Sequence, residues 1–433
     1  MSPIRDVIFI VVTFFSVYVQ IFFLFTFIKF HKKIERRGGK KGEITLSNYP
    51  TVTIIVPCYS EEKTVEKTVL SLQELDYPKD KIDIILIDDG SPDKTWSKIK
   101  ELEQRYSNVK SFTKMNGGKH TCLNFGLEQT KSEYVGCLDA DSIVHNKALV
   151  RIMSYFEENT ELMAVTPNLV IHNPKSLIQR AQRAEYTVGS YNKKMMGFLG
   201  GIHVTPGPFS IFRKKVFDTI GPYRKAHNTE DMEITFRMHR AGYRIDNCND
   251  AYVYTLGPKN AYDLYRQRVR WLYGFMRNVL DYRDLFFKKK YGTLGFFTLP
   301  TGAISIIVVL FIVFFFFQGL IQPITRFIQK ISTVGFNFNI FDIFTNPSLD
   351  IFYINTNVTT LIAFVLYGLA ILSFILGKWI SQNKEANFLD VIFFFAIYLV
   401  LAPLWLLKAL WNMCVNKEAS WTKEIDKRVR ENL

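Results

Sequence analysis

The sequence has few cysteines, and none in a spacing that would make a framework. Cys58, Cys122, Cys137, Cys248 and Cys414 stand far apart in 433 residues, without a CxxC pair or a Cys/His cluster. That excludes a disulfide scaffold and a zinc site, and suits reduced thiols in a cytosolic domain. The seven histidines fall in no HExxH or other ligand spacing, so each reads as a surface or satisfied polar residue. No GxGxxG and no GxxxxGK[ST] occurs, which leaves dinucleotide binding and P-loop ATP hydrolysis without support. Acidic charge is also short: 40 acidic against 54 basic residues give +14. Such a balance suits nucleic acid, an anionic lipid surface or a nucleotide-linked substrate, and charge alone does not choose. What the chain has in quantity is apolar surface. At 48% hydrophobic and 15% aromatic residues, with 38 Phe, it is too long for one ordinary core and too apolar in places for a wholly soluble protein.

Long apolar runs divide the chain. Residues 7–30, VIFIVVTFFSVYVQIFFLFTFIKF, exceed the roughly 20 apolar residues that cross a bilayer and lack a signal-peptide cleavage site. Only Arg5 precedes that run, whereas Lys29, Lys32, Lys33, Arg36, Arg37, Lys40 and Lys41 crowd its far end. The positive-inside rule then puts the N-terminus outside and residue 31 onward in the cytosol. Residues 1–30 read as a transmembrane helix, 31–50 as a basic cytosolic linker, 51–260 as a soluble α/β domain, 261–293 as amphipathic interface helices, 294–411 as a membrane region and 412–433 as a basic tail. Within the membrane region, stretches near 297–320, 356–376 and 388–411 are apolar enough to span. Three such crossings would export the tail, yet Lys417, Lys423, Lys427, Arg428 and Arg430 favour the cytosol. Either 321–354 contains a further crossing or one candidate is re-entrant, and a cytosolic tail is expected.

In the soluble part, strand patterns alternate with helical ones, which predicts a mainly parallel sheet flanked by helices. TVTIIVP (51–57), KIDIILID (81–88), VKSFTK (109–114) and EYVGCLD (133–139) read as strands, each followed by a segment with apolar residues at three- and four-residue spacing. Ligands of such sheets bind beyond the carboxyl ends of the strands. There the chain places Tyr59 and Glu61, then Asp88 and Asp89, then Asn116 to Lys119, then Asp139 and Asp141, residues that one crevice would hold. The last pair offers two hard oxygen ligands one residue apart, suited to a divalent cation. Taken alone, a DxD is weak evidence and reads more readily as a solvated acidic turn. Thr229, Glu230 and Asp231 open a helical pattern, where acids ordinarily serve as capping. YRQRVRWLYGFMRNVL (265–280) is an Arg-rich, aromatic amphipathic helix of the kind that lies on lipid headgroups.

Together these segments form an ordered set: IDDGS (87–91), DAD (139–141), TED (229–231) and QRVRW (267–271). In that set the chain resembles the membrane-embedded processive family 2 glycosyltransferases, the synthases of cellulose, chitin, hyaluronan and poly-N-acetylglucosamine. The resemblance covers about 45–290 by motif and the membrane segments by layout only. It implies a GT-A nucleotide-sugar-binding domain inserted between transmembrane helices and facing the cytosol. PCYSEE is similar to the family's P-x-Y-N-E segment, with Ser60 in place of the usual Asn, so that Tyr59 would stack on uracil with Glu61 nearby. By the same likeness Asp88 or Asp89 would hold base or ribose, and Lys119 would meet the diphosphate. Asp141 with Asp139 would bind Mg²⁺ or Mn²⁺. Asp231, with Glu230 beside it, would be the general base on an acceptor hydroxyl. Gln267 and Arg270 would meet the diphosphate, and Trp271 would pack on the acceptor sugar. TPGPFSIFRK (205–214) resembles an acceptor-site segment of the hyaluronan and chitin-type synthases, and SWTKE (420–424) a loop that closes over nucleotide.

The implied activity is an inverting β-glycosyltransferase of the plasma membrane that extends a polysaccharide from a UDP-sugar, UDP-N-acetylglucosamine favoured, and passes it through its own helices. Its partners would be the donor, the growing polysaccharide, the bilayer and accessory membrane or export subunits, with no nucleic acid. The alternatives are a non-processive transferase acting on a lipid-linked acceptor, and a catalytically silent subunit that binds nucleotide or polymer.

Overall fold

The computed structural model describes residues 3–38, 44–334, 358–382 and 385–417. The chain divides into two compact units, one of residues 1–22 with 301–372 and the other of 23–300 with 373–433. The second holds every element discussed below as part of a site.

Helix α1 (Pro3–Gly38) runs without a break past residue 30, so part of what reads as a basic linker is helical. After it come β1 (Val52–Cys58), α2 (Val65–Gln73), β2 (Ile82–Asp88), α3 (Thr95–Arg105), β3 (Val109–Thr113), α4 (Lys119–Gln129), β4 (Tyr134–Cys137), β5 (Ile143–Val144), α5 (Ala148–Glu158), β6 (Leu162–Ile171), α6 (Leu177–Leu199), β7 (Ile211–Arg213), α7 (Lys215–Ile220), α8 (Glu230–Arg240), β8 (Arg244–Thr255) and α9 (Ala261–Asp281). The β-branched runs of β1 and β2 suit strands buried on both faces. Alternation then sorts their residues: Ile54, Val56, Ile84 and Leu86 join the core against α2, α3 and α5, while Ile55, Ile85 and Ile87 join the core against α4, α7 and α8.

The eight strands form one sheet in the order β3-β2-β1-β4-β7-β6-β8-β5. The expectation of a mainly parallel sheet holds, with β6 and β8 parallel to each other and running with β1 to β4, and two reversed strands make the sheet mixed. β3, β2, β1 and β4 are parallel, but β7 runs against both β4 and β6, and β5 against β8. The chain meets β4 at its carboxyl end, where Phe209 N donates to Cys137 O (2.6 Å), and leaves at its start, where Lys214 N donates to Glu133 O (2.9 Å), so β7 must run backwards. The parallel half brings the ends of β1 to β4 to one edge, as ligand sites in such sheets require.

Four helices among the described residues are long and apolar enough to cross a membrane, with apolar windows at Ile10–Glu35, Leu294–Phe311, Phe364–Ser381 and Phe388–Cys414. The last of these packs on α6 and α9. Arg180 and Arg183 of α6 donate to Asp390, whose side chain is wholly buried and also closes the capping box of that helix. Residues 335–357 and 418–433, on which a further crossing, the side of the tail and the SWTKE segment depend, lie outside the described residues.

Candidate active site

The DAD turn is built into the core. Leu138 N donates to Ile55 O (2.9 Å), Ser142 N to Asp139 O (3.0 Å), and the buried Thr68 hydroxyl to Ala140 O (2.9 Å). Leu138, Ala140 and Ser142 are buried, which leaves Asp139 and Asp141 to point the other way. Burial together with the charges of Asp139 and Glu61 pushes the Asp141 carboxyl up to about 7.

Lys119 at the start of α4 pairs with Asp139 and lies 3.8 Å from Glu230. Its cavity-side neighbour is Gly207, where a β-carbon would overlap the lysine nitrogen, so the glycine of GPFS leaves room for Lys119 in its present position. Asp88 and Asp89 are placed differently from the single crevice read in the sequence. Both are buried and bonded inward, Asp88 to Ser91 N (3.2 Å) and the Thr113 hydroxyl (2.9 Å), Asp89 to Lys114 Nζ (2.7 Å) and to the amides of Gly117 (3.0 Å) and Gly118 (2.8 Å). Their carboxylates hold the loop that leads to Lys119. Tyr59 and Glu61 follow β1 at the same edge, separated by Ser60 in the left-handed region (φ 57°), a conformation that Asn tolerates better than Ser. Glu61 Oε2 accepts from the Thr64 hydroxyl (2.5 Å).

The TED acids open α8, with Glu230 buried and Asp231 partly so. Thr229 stands at the N-cap position without a capping side-chain bond. Its hydroxyl instead donates to Ala226 O (3.0 Å) and accepts from Asn278 Nδ2 (2.8 Å). Ala226, His227 and Asn228 before it all have left-handed backbone, φ 44°, 55° and 61°, which costs L-residues roughly 1–2 kcal/mol each. Burial and the neighbouring Glu230 raise the Asp231 carboxyl to about 6, against the opposing pull of Lys119 and Arg270.

A cavity of about 1350 Å³ joins these parts. Lys119, Asp139, Asp141, Glu230, Asp231, Gln267, Arg270 and Trp271 all line it; Tyr59, Glu61, Asp88 and Asp89 do not. One wall is α9, which presents Asp263, Arg266, Gln267, Arg270 and Trp271 at helical spacing; the opposite wall is α6, with Glu185, Gly189 and Lys193. Arg270 Nη1 donates to Asn228 O (2.9 Å), and the charges of Glu230, Asp231 and Asp139 partly offset the burial that lowers its pKa. The Gln267 Oε1 is buried without a partner among the described residues, a polar atom available to a ligand.

Several lining residues escaped the sequence reading. The Arg268 guanidinium lies 4.4 Å from the centre of the Trp271 ring and donates to Glu185 (2.6 Å), which also accepts from the Tyr398 hydroxyl (2.5 Å). Lys193, its amine lowered to about 8 by burial, shares the cavity with Asp231. The expectation that every histidine is satisfied or superficial is corrected at His203. Its ring lines the cavity, its Nδ1 is buried without a partner among the described residues, and burial with the nearby Lys193 lowers it to about 4. The signal for α6 was present in the four-residue spacing of Glu185, Gly189 and Lys193, whereas nothing in the sequence distinguishes His203.

Residues 53–221 match the family model described as Glycosyl transferase family 2. The poly-beta-1,6-N-acetyl-D-glucosamine synthase of Staphylococcus epidermidis is 31% identical over 291 residues, 67% of this chain and 69% of that protein. The synthase of the same name from Staphylococcus aureus (strain COL) is 31% identical over 277 residues, and the match spans 66% of its length. Among solved structures, the mannosyltransferase PcManGT from Pyrobaculum calidifontis, in complex with GDP-Man and Mn²⁺, superposes with a TM-score of 0.51 at 16% identity, over 85% of this chain and 99% of that one. That likeness concerns the GT-A-like fold.

Proposed function

The chain belongs to glycosyl transferase family 2, and from that premise we propose that it is a membrane-inserted β-glycosyltransferase that polymerises N-acetylglucosamine from UDP-N-acetylglucosamine on the cytosolic side. The observation that carries the reading is the meeting of the DAD acids, the TED acids and the Gln-Arg-Trp of α9 around one cavity. The amino-sugar donor and a β-1,6 linkage are supported by the two staphylococcal relatives, both poly-beta-1,6-N-acetyl-D-glucosamine synthases. The four apolar helices support passage of the product across the bilayer.

A hard divalent cation fits the donor set. Asp141 lies in an excess of carboxylate charge that a cation would relieve, and two carboxylates one residue apart offer hard oxygen ligands. Asp141 and Asp139 would hold Mg²⁺ or Mn²⁺. When bound, the ion supplies a counter-charge for the departing diphosphate. The protein's own residues do the rest. Lys119, Arg270 and Gln267 bind and orient the diphosphate, and Trp271, backed by Arg268, offers an indole face to the acceptor sugar. Asp231 accepts the proton of the attacking hydroxyl, with Glu230 raising its basicity. Displacement at the anomeric carbon then inverts an α-linked donor to a β-linked product.

Purified protein given UDP-N-acetylglucosamine with Mg²⁺ or Mn²⁺ should release UDP and yield long chains cut by a hydrolase specific for β-1,6-linked N-acetylglucosamine. A product of one added sugar would favour the non-processive reading, and no UDP release the silent-subunit reading. Trp271→Ala should shorten the chains and slow their formation while UDP binding stays intact; unchanged chain length and rate would remove Trp271 from the acceptor subsite.

The pH profile follows from Asp231. A general base works only when deprotonated, and this carboxyl is held at about 6, so at saturating metal, which would keep Asp141 deprotonated, the transfer rate should be full well above that value and fall as pH drops through it. A rate that stays level down to about 4, the ordinary carboxylate range, would contradict the assignment.

A further inference from the structure

The backbone leading into Asp231 is wound left-handed over Ala226, His227 and Asn228, and a single stripe of α9 holds it. Arg270 Nη1 donates to Asn228 O (2.9 Å). Gly274 abuts Thr229 so closely that a methyl group in its place would overlap the threonine side chain. Asn278, wholly buried, donates to the Thr229 hydroxyl (2.8 Å) and to Gly274 O (2.9 Å). At the end of the stripe His227 Nε2 meets Asp281 Oδ2 (2.9 Å). Residues 270, 274, 278 and 281 are spaced by four, four and three, which places them along one helix face. Strained, non-glycine backbone persists only where surrounding contacts over-determine it, and it collects at functional sites. Here the contacts come from the same helix whose adjoining face carries Gln267 and Trp271 into the cavity.

We propose that this stripe of α9 is a clamp that sets the position of the TED acids, with Gly274 and Asn278 as positioning residues for Asp231. The inference rests on the reading of Asp231 as the base. Neither Gly274 nor Asn278 lines the cavity; they act through the turn of residues 226–229. The helix that presents the acceptor-binding tryptophan thereby also fixes the base that must reach the acceptor hydroxyl, so the two are kept in register by one rigid element.

The test compares kcat with KM in the full-length protein. Asn278→Ala should lower kcat by about the 10²-fold that a small misplacement of a reacting group costs, with UDP affinity and the KM for UDP-N-acetylglucosamine unchanged. Gly274→Ala, which displaces Thr229 from the other side, should give the same split and serves as a second probe if the first variant folds poorly. In the Asn278→Ala background, Ala226→Gly removes the β-carbon penalty of the left-handed backbone and should restore part of the rate. UDP affinity falling in step with kcat, or no restoration by Ala226→Gly, would mark these as ordinary structural residues and overturn the clamp. Wild-type kcat in both Asn278→Ala and Gly274→Ala, beside an inactive Asp231→Asn, would overturn the clamp alone. An active Asp231→Asn would remove the base itself and the clamp with it.

Discussion

Asp231→Asn should yield a protein that folds, inserts and binds UDP with metal, yet transfers sugar at least about 10²–10⁴-fold more slowly, the range typical of losing a general base. The substitution is nearly isosteric. The Oδ1 that accepts from Met232 N (2.9 Å) remains in Asn, and the first turn of α8 keeps Glu230 and Glu233 for its dipole. What disappears is the only property that the reading needs, a carboxylate able to take a proton. UDP release in the presence of donor and acceptor measures it directly. Near-normal turnover would show that another group takes the proton, and the acid limb near 6 would then belong elsewhere.

Asp141→Asn should act on binding instead. It removes one hard oxygen ligand and its charge from beside Asp139, whose Oδ1 is already engaged with Lys119. Metal-dependent UDP affinity is expected to fall by more than the roughly 10–100-fold that changes to outer-shell partners cost metal sites. The fold should tolerate the change, because the turn is held by Leu138, Ala140 and Ser142 rather than by the carboxylate. If UDP and Mn²⁺ bind Asp141→Asn as they bind the native protein, the acids after β4 have no part in holding the diphosphate.

Much of this arrangement was legible in the sequence, for physical reasons that differ by element. The four parallel strands are short apolar runs that end on polar residues, and both the alternation of their cores and the acids at their ends survive in the structure. The antiparallel β7 was not legible, because it is three residues long and its direction is decided by where the chain re-enters at Phe209. Asp88 and Asp89 look like site residues from their position at a strand end, but Lys114 and the amides of 117 and 118 engage Asp89, contacts that only folding brings together. His203 becomes a cavity residue through the packing of the loop after α6, and no local spacing announces that. The left-handed turn at 226–228 was also invisible, since none of its residues is glycine.

In the proposed mechanism one half of the cavity binds the donor diphosphate and the other activates the acceptor. Isothermal titration of UDP in the presence of Mn²⁺ into native protein, Asp231→Asn and Asp141→Asn tests that division in one series. The predicted result is that Asp231→Asn matches the native protein in affinity and stoichiometry while Asp141→Asn loses most of its metal-dependent binding. Equal loss in both variants, or none in Asp141→Asn, would contradict it.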